Sequence, residues 1–170
     1  AMTAVFVAVP VLLSRRLGME AGDQWSVFAP AMLVSILPLP ILIWLAERRG
    51  HQAAVVLLCI AMAAVALVGM TQVVATGSML FALSLYFAGF NLLEATMPSL
   101  VSQAAQIEAR GAALGMYSTA QFLGAFTGGA AGGWIMSGWG MNGVLIAAGA
   151  LLASWLLFAP RTPWRTLKTA

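Results

Sequence analysis

The chain has 170 residues, of which 62% are hydrophobic and only 8% charged, with a mean hydropathy of +0.96. A soluble domain carries roughly 25% charged residues, so this composition excludes one and specifies an all-α integral membrane protein. The net charge of +3 does not make a nucleic-acid surface, because the eight Lys and Arg lie scattered at the ends of apolar runs. The single cysteine, Cys59, excludes an internal disulfide, no His/Cys cluster could hold a metal, and no cofactor is implied.

Ala1 to Leu13 is apolar but shorter than the roughly 20 residues that cross the hydrocarbon, so it is expected to be the outer part of a truncated first span that begins upstream. It does not read as a signal peptide, since no basic region precedes it and no small-x-small site follows. Ser14 to Asp23 is a polar loop containing Arg15, Arg16, Glu20 and Asp23. The second span, 24–45, holds Pro30, Pro38 and Pro40 and should bend near Leu37, because proline removes a helical hydrogen bond and crowds the preceding turn. Ala46 to His51 is a tight turn, and 52–70 is an uncharged span. A loop from Thr71 to Ser78, with Gly77 as its turn residue, leads to the fourth span, 79–100. The polar segment Ser102 to Gly111 precedes a fifth span, 112–136. The Gly-rich stretch Ser137 to Gly143 turns into the last span, 142–159, which Pro160 ends before a basic tail.

If the turn at Ala46 to His51, the loop before Gly111 and the tail share one side, that side holds Arg48, Arg49, Arg110, Arg161, Arg165 and Lys168. Only Arg15 and Arg16 remain opposite, so the positive-inside bias makes the first side, and the C-terminus, cytoplasmic. Trp25, Trp134 and Trp139 then form an outer belt, with Trp44 and Trp164 toward the inner interface.

No nucleophile elbow, zinc-protease helix or P-loop occurs, and His51 has no acid partner at fixed spacing, so nothing here supports an enzyme. The informative groups are polar residues inside apolar runs. Ser84, Phe87, Asn91, Glu94, Pro98 and Ser102 recur at helical spacing and place one polar stripe on the fourth span. Glu94 lies about 9 Å inside the hydrocarbon at 1.5 Å per residue. An acid there costs about 2.5 to 3.5 kcal/mol unless it faces protein or water. Two uses fit it: a proton-binding group in a hydrated cavity, or a structural acid bonded to a neighbouring helix. Asn91, one turn earlier, could bond either protonation state, and Gln121 on the next span could line the same cavity or join two helices. Gly111, Gly115, Gly124, Gly128 and Gly132 form a ladder of small residues that lets another helix approach closely, either within this chain or in a partner.

The turn Glu47-Arg48-Arg49-Gly50-His51 resembles the inter-helix motif G-x-x-x-D-R-x-G-R-R of the major facilitator superfamily. Glu47 stands at the Asp, Arg48 at the Arg and Gly50 at the Gly; Ile43 replaces the leading Gly, and His51 and Gln52 replace the basic pair. The segments Phe90 to Ala95, Pro98 to Ser102 and Arg110 to Gly124 are similar to the tenth and eleventh helices of its proton-coupled drug-antiporter-like, YajR-type branch. The resemblance covers essentially the whole chain, 1–170, as helices seven to twelve, a C-terminal six-helix half. It implies a bacterial inner-membrane carrier working by alternating access, whose partners are the lipid bilayer, an N-terminal six-helix half, a small hydrophobic or amphipathic substrate and protons. It further implies cavity or coupling roles for Glu94, Asn91, Gln121 and Tyr117, a cytoplasmic gate at Glu47, Arg48, Gly50 and Arg110, and an interface at the glycine ladder. A substrate-specific symporter or facilitator is the alternative within transport; a non-transporting membrane subunit or sensor is the alternative outside it.

Overall fold

The computed structural model describes residues 2–48 and 52–158. They form six α-helices: α1 (Met2–Leu17), α2 (Trp25–Ile36), α3 (Leu39–Arg48), α4 (Gln52–Met70), α5 (Thr76–Ala104) and α6 (Arg110–Phe158), with a 3-10 turn at Ile107–Ala109 before α6. Arg49, Gly50, His51 and the basic tail with Trp164 lie outside the described residues. Four stretches are long and apolar enough to cross a membrane: Trp25–Ala46, Gln52–Met70, Thr76–Ala104 and Ile107–Phe158.

Two of these stretches are not straight. The proline-rich span breaks at Leu37 and Pro38, between α2 and α3, where proline offers no N–H to the ladder. The last stretch keeps helical geometry throughout except at Gly140, whose φ of 68° and ψ of −171° are open essentially only to glycine. A Cβ placed on Gly132 would sit 3.8 Å from a Val144 methyl. In a continuous helix those residues would be about 18 Å apart. Residues 110–139 and 141–158 are therefore two arms of a hairpin. One residue makes the reversal that Ser137 to Gly143 was expected to make as a loop, and Gly143 leaves the room that the Trp139 Cβ fills, 2.6 Å from where its own Cβ would stand.

Helix ends also differ from the apolar boundaries. α1 continues past Leu13 through Arg15 and Arg16 until Gly18, at φ 65°, turns the chain and Met19 N–H donates to the Leu13 carbonyl at 3.2 Å. α5 starts at Thr76, inside the expected loop, because the Ser78 hydroxyl donates to the Ala75 carbonyl at 2.8 Å and braces the first turn. It runs to Ala104, four residues beyond Leu100, and in that last turn Gln103 Nε2 donates to Ser99 Oγ at 3.0 Å, four residues back.

Hydrogen bonds identify the two ends of the bundle. At one end, Arg16 donates to the carbonyls of Thr71 (2.5 Å) and Val73 (3.4 Å) and to Asn142 Oδ1 (3.1 Å), while Gln24 donates to Ser14 Oγ (3.0 Å) and the Pro10 carbonyl (3.1 Å). The end of α1, the start of α2, the α4–α5 connection and the α6 reversal thus lie together, and the exposed Trp25, Trp134 and Trp139 belong to these same segments. At the other end Ala46 of α3, Gln52 and Val56 of α4 and Ser99 and Gln103 of α5 line one cavity. The rods alternate in direction between these ends.

The core lies toward the first end. Val5, Val9, Leu12 and Leu13 of α1 meet Ala63, Leu67 and Met70 of α4, Leu83, Tyr86 and Phe87 of α5 and Val144, Leu145 and Ala148 of α6. A smaller cluster, Ala46, Val55, Cys59 and Leu92, closes the other end. In lipid such contacts gain little from expelling water, so close packing carries them. The tightest is between α4 and α5, where a Cβ on Gly89 would stand 2.5 Å from the Cys59 carbonyl oxygen. Gly89→Ala is expected to lower stability by about 1–3 kcal/mol. Gly69→Ala, where nothing lies within 4 Å, should be neutral or slightly stabilising. Detergent-unfolding titrations of the two variants check the difference.

Candidate functional site

Glu94 and Gln121 are the polar groups that the structure joins. Both sit inside apolar helices, on α5 and on the 110–139 arm of α6, and Gln121 Nε2 donates a hydrogen bond to Glu94 Oε1. An amide is a suitable partner for an acid in a membrane, because it can donate to the ionised carboxylate or accept from the protonated one.

Around this pair opens a cleft of about 580 Å³. Phe90 and Glu94 of α5 form one wall, and Tyr117, Gln121, Gly124, Ala125, Thr127 and Gly128 of α6 form the other. Met2 and Thr3 of α1 and Leu151 of the second α6 arm complete it. Glu94 is exposed to this space, so its second oxygen is not walled off by apolar side chains. The Thr3 hydroxyl is buried with no hydrogen-bond partner. The Phe90 ring is fixed by stacking on Tyr86, with centroids 6.1 Å apart. The cleft therefore combines one acid, an amide, hydroxyls and aromatic surface, a lining that offers both polar and apolar contacts. Among the described residues no three His, Cys, Asp or Glu side chains come together as a metal site.

The polar stripe of α5 divides between neighbours. Asn91 does not join Glu94; its Nδ2 donates to Ser35 Oγ of α2 at 3.1 Å. Three residues advance a helix by 300°, leaving Asn91 and Glu94 about 60° apart, enough to aim them at different helices. Ser84 bonds its own helix at the Leu80 carbonyl, 2.8 Å away, and is buried. Tyr117 does line the Glu94 cleft.

The glycine ladder also divides. Gly111, Gly115 and Gly124 would meet nothing within 4 Å if given a Cβ, whereas Gly128 would meet Thr3 Oγ1 at 2.8 Å and Gly132 meets Val144 within the hairpin. At the charged turn, Glu47 and Arg48 end α3, but their side chains and all of Gly50 lie outside the described residues. Arg110 is exposed at the start of α6.

Sequence reasoning did not find Met2, Thr3 or Leu151, which reach the cleft only through tertiary packing. Gly89 carried a visible signal, a lone glycine within an apolar helix. A leucine at Gly128 should lower stability by about 1–3 kcal/mol by colliding with Thr3. At Gly124 the same change should stay within about 0.5 kcal/mol in this chain. Thermal unfolding in detergent distinguishes them, and equal losses would contradict the division of the ladder.

The family model of the Major Facilitator Superfamily matches residues 1–169. Among curated proteins, the chain is similar to the inner membrane transport protein YajR of Escherichia coli (strain K12), with 34% identity over 159 residues. That match covers 93% of this chain and 35% of the relative, so the chain spans little more than a third of the relative's length.

Proposed function

The chain belongs to the major facilitator superfamily, and on that premise we propose that it is the C-terminal six-helix half of a secondary active transporter of the bacterial inner membrane. The observation that carries this reading is an acid and an amide from different helices, joined at the wall of an open cleft inside apolar helices. The transporter works by alternating access and exports small hydrophobic or amphipathic compounds in exchange for protons. Glu94 binds and releases the proton, Gln121 and Tyr117 line the path, and the substrate competes for the same space. Asn91, bonded to Ser35, supports the α2–α5 contact that holds the helix carrying Glu94.

The N-terminal half of the transporter is the partner of this half, and the open faces at Gly111, Gly115 and Gly124 support its close approach there. Glu47, Arg48, Gly50 and Arg110 belong to the cytoplasmic end, where charges at helix termini can favour one access state over the other. The C-terminus is cytoplasmic by the distribution of Lys and Arg.

A specific observation also supports a facilitator in which Glu94 is structural: an acid bonded to an amide is one of the ways membrane helices are joined. Flux separates the two. In proteoliposomes holding both halves of the transporter, Glu94→Gln should abolish accumulation driven by a proton gradient, by at least about tenfold, while substrate binding and exchange persist. Gradient-driven accumulation at the wild-type rate in the variant would assign Glu94 a structural role.

A further inference from the structure

We infer that Arg16 and Asn142 clamp the base of a hinge at Gly140, so that the 110–139 arm of α6 moves against a body made of the other helices and thereby opens and closes the Glu94 cleft. The two arms are seated differently. In the second arm Val144, Leu145, Ala148 and Gly149 are buried, and a Cβ on Gly149 would lie 3.1 Å from a Val68 methyl and 3.5 Å from the Ala64 carbonyl of α4. In the first arm Gly132 is the buried residue, and it lies near the reversal. Farther from Gly140 the first arm borders the cleft, with its Tyr117 and Gln121 on one wall and Phe90 and Glu94 of α5 on another, and the Gln121–Glu94 bond crosses between them.

The clamp holds only one side of the pivot. Asn142, two residues beyond Gly140, accepts from Arg16 Nη2, and the same guanidinium reaches Thr71 and Val73 in the α4–α5 connection through Nη1. One planar cation thereby links the end of α1, the α4–α5 connection and the root of the second arm. Among the described residues no corresponding side-chain bond ties the 137–139 side of the reversal to the body: Ser137 Oγ donates to the Trp134 carbonyl of its own arm. A glycine at positive φ then connects a clamped arm with four buried residues to one whose buried residue is Gly132. The Glu94–Gln121 bond lies across the opening, where it latches the arm in the closed arrangement.

The clamp makes opposite predictions for two substitutions at one position. Asn142→Ala removes the bond that roots the reversal, whereas Asn142→Asp turns it into a charge-assisted pair with Arg16, which is shorter and stronger. The full chain, with Cys59→Ala and nitroxide labels on cysteines at Met116 and Leu58, would be placed in lipid nanodiscs and the label distance measured by electron–electron double resonance. Both label sites are exposed, one on the moving arm and one on α4. The distance distribution should broaden in Asn142→Ala and narrow in Asn142→Asp relative to the parent, and Arg16→Gln should reproduce Asn142→Ala. Should Arg16→Gln not fold, the pair at Asn142 still decides. Unchanged widths, or a change of the same sign in both Asn142 variants, would overturn the hinge clamp.

Discussion

A carboxyl group inside the hydrocarbon must meet water or a polar partner, because an isolated one costs several kcal/mol, of the order of the whole stability of many domains. In this chain that demand falls on Glu94, and the fold answers it twice, with the Gln121 amide and with an open cleft. The rest of the architecture can be understood as what brings those two answers together. Gln121 lies on an arm that must return past α5 and α1, so the reversal at Gly140 is a condition of the site. Gly128 leaves room for Thr3, so α1 can close the cleft from the other side.

Packing divides the molecule along the same line. Large apolar side chains fill the end where Arg16 and Gln24 bind the chain reversals, and the tight α4–α5 approach at Gly89 fixes the helix that carries the acid. Facing this core, the 110–139 arm offers Tyr117, Gln121, Thr127 and two glycines toward a cleft. The hinge proposed at Gly140 would let the site change its exposure without unfolding a helix. The membrane strengthens that logic, since backbone bonds within each helix cannot be given up in lipid and motion must be concentrated at breaks such as Leu37 and Gly140.

The apolar runs made the all-helical class legible, because in lipid only helices and closed barrels satisfy the backbone and the runs have the length of helices. Helix ends were less legible: hydropathy marks where the membrane stops, while α1 and α5 continue into water through Arg16 and Gln103. The break near Leu37 could be read from three prolines, each with a fixed geometric effect. The single-residue reversal could not, since Gly138, Gly140 and Gly143 all permit a turn and only the packing of Val144 against Gly132 selects one. Glu94 and Gln121 stood out as isolated polar groups in apolar surroundings, but the destination of Asn91 depended on which helix occupies a direction about 60° away. Arg16 gave no signal, because its loop is balanced in charge and its partners are carbonyls more than fifty residues distant in the chain.

The central claim is that Glu94 takes up and releases a proton at its place in the cleft. Infrared difference spectroscopy across a pH step, on the chain in lipid, observes this without knowledge of the substrate, because only a protonated carboxyl shows the acid carbonyl stretch. Glu20, Asp23, Glu47 and Glu108 also contribute to such a band on acidification, and the wild type should show an additional component that Glu94→Gln lacks. Identical bands in wild type and Glu94→Gln across the range in which the protein stays folded would contradict proton uptake by Glu94.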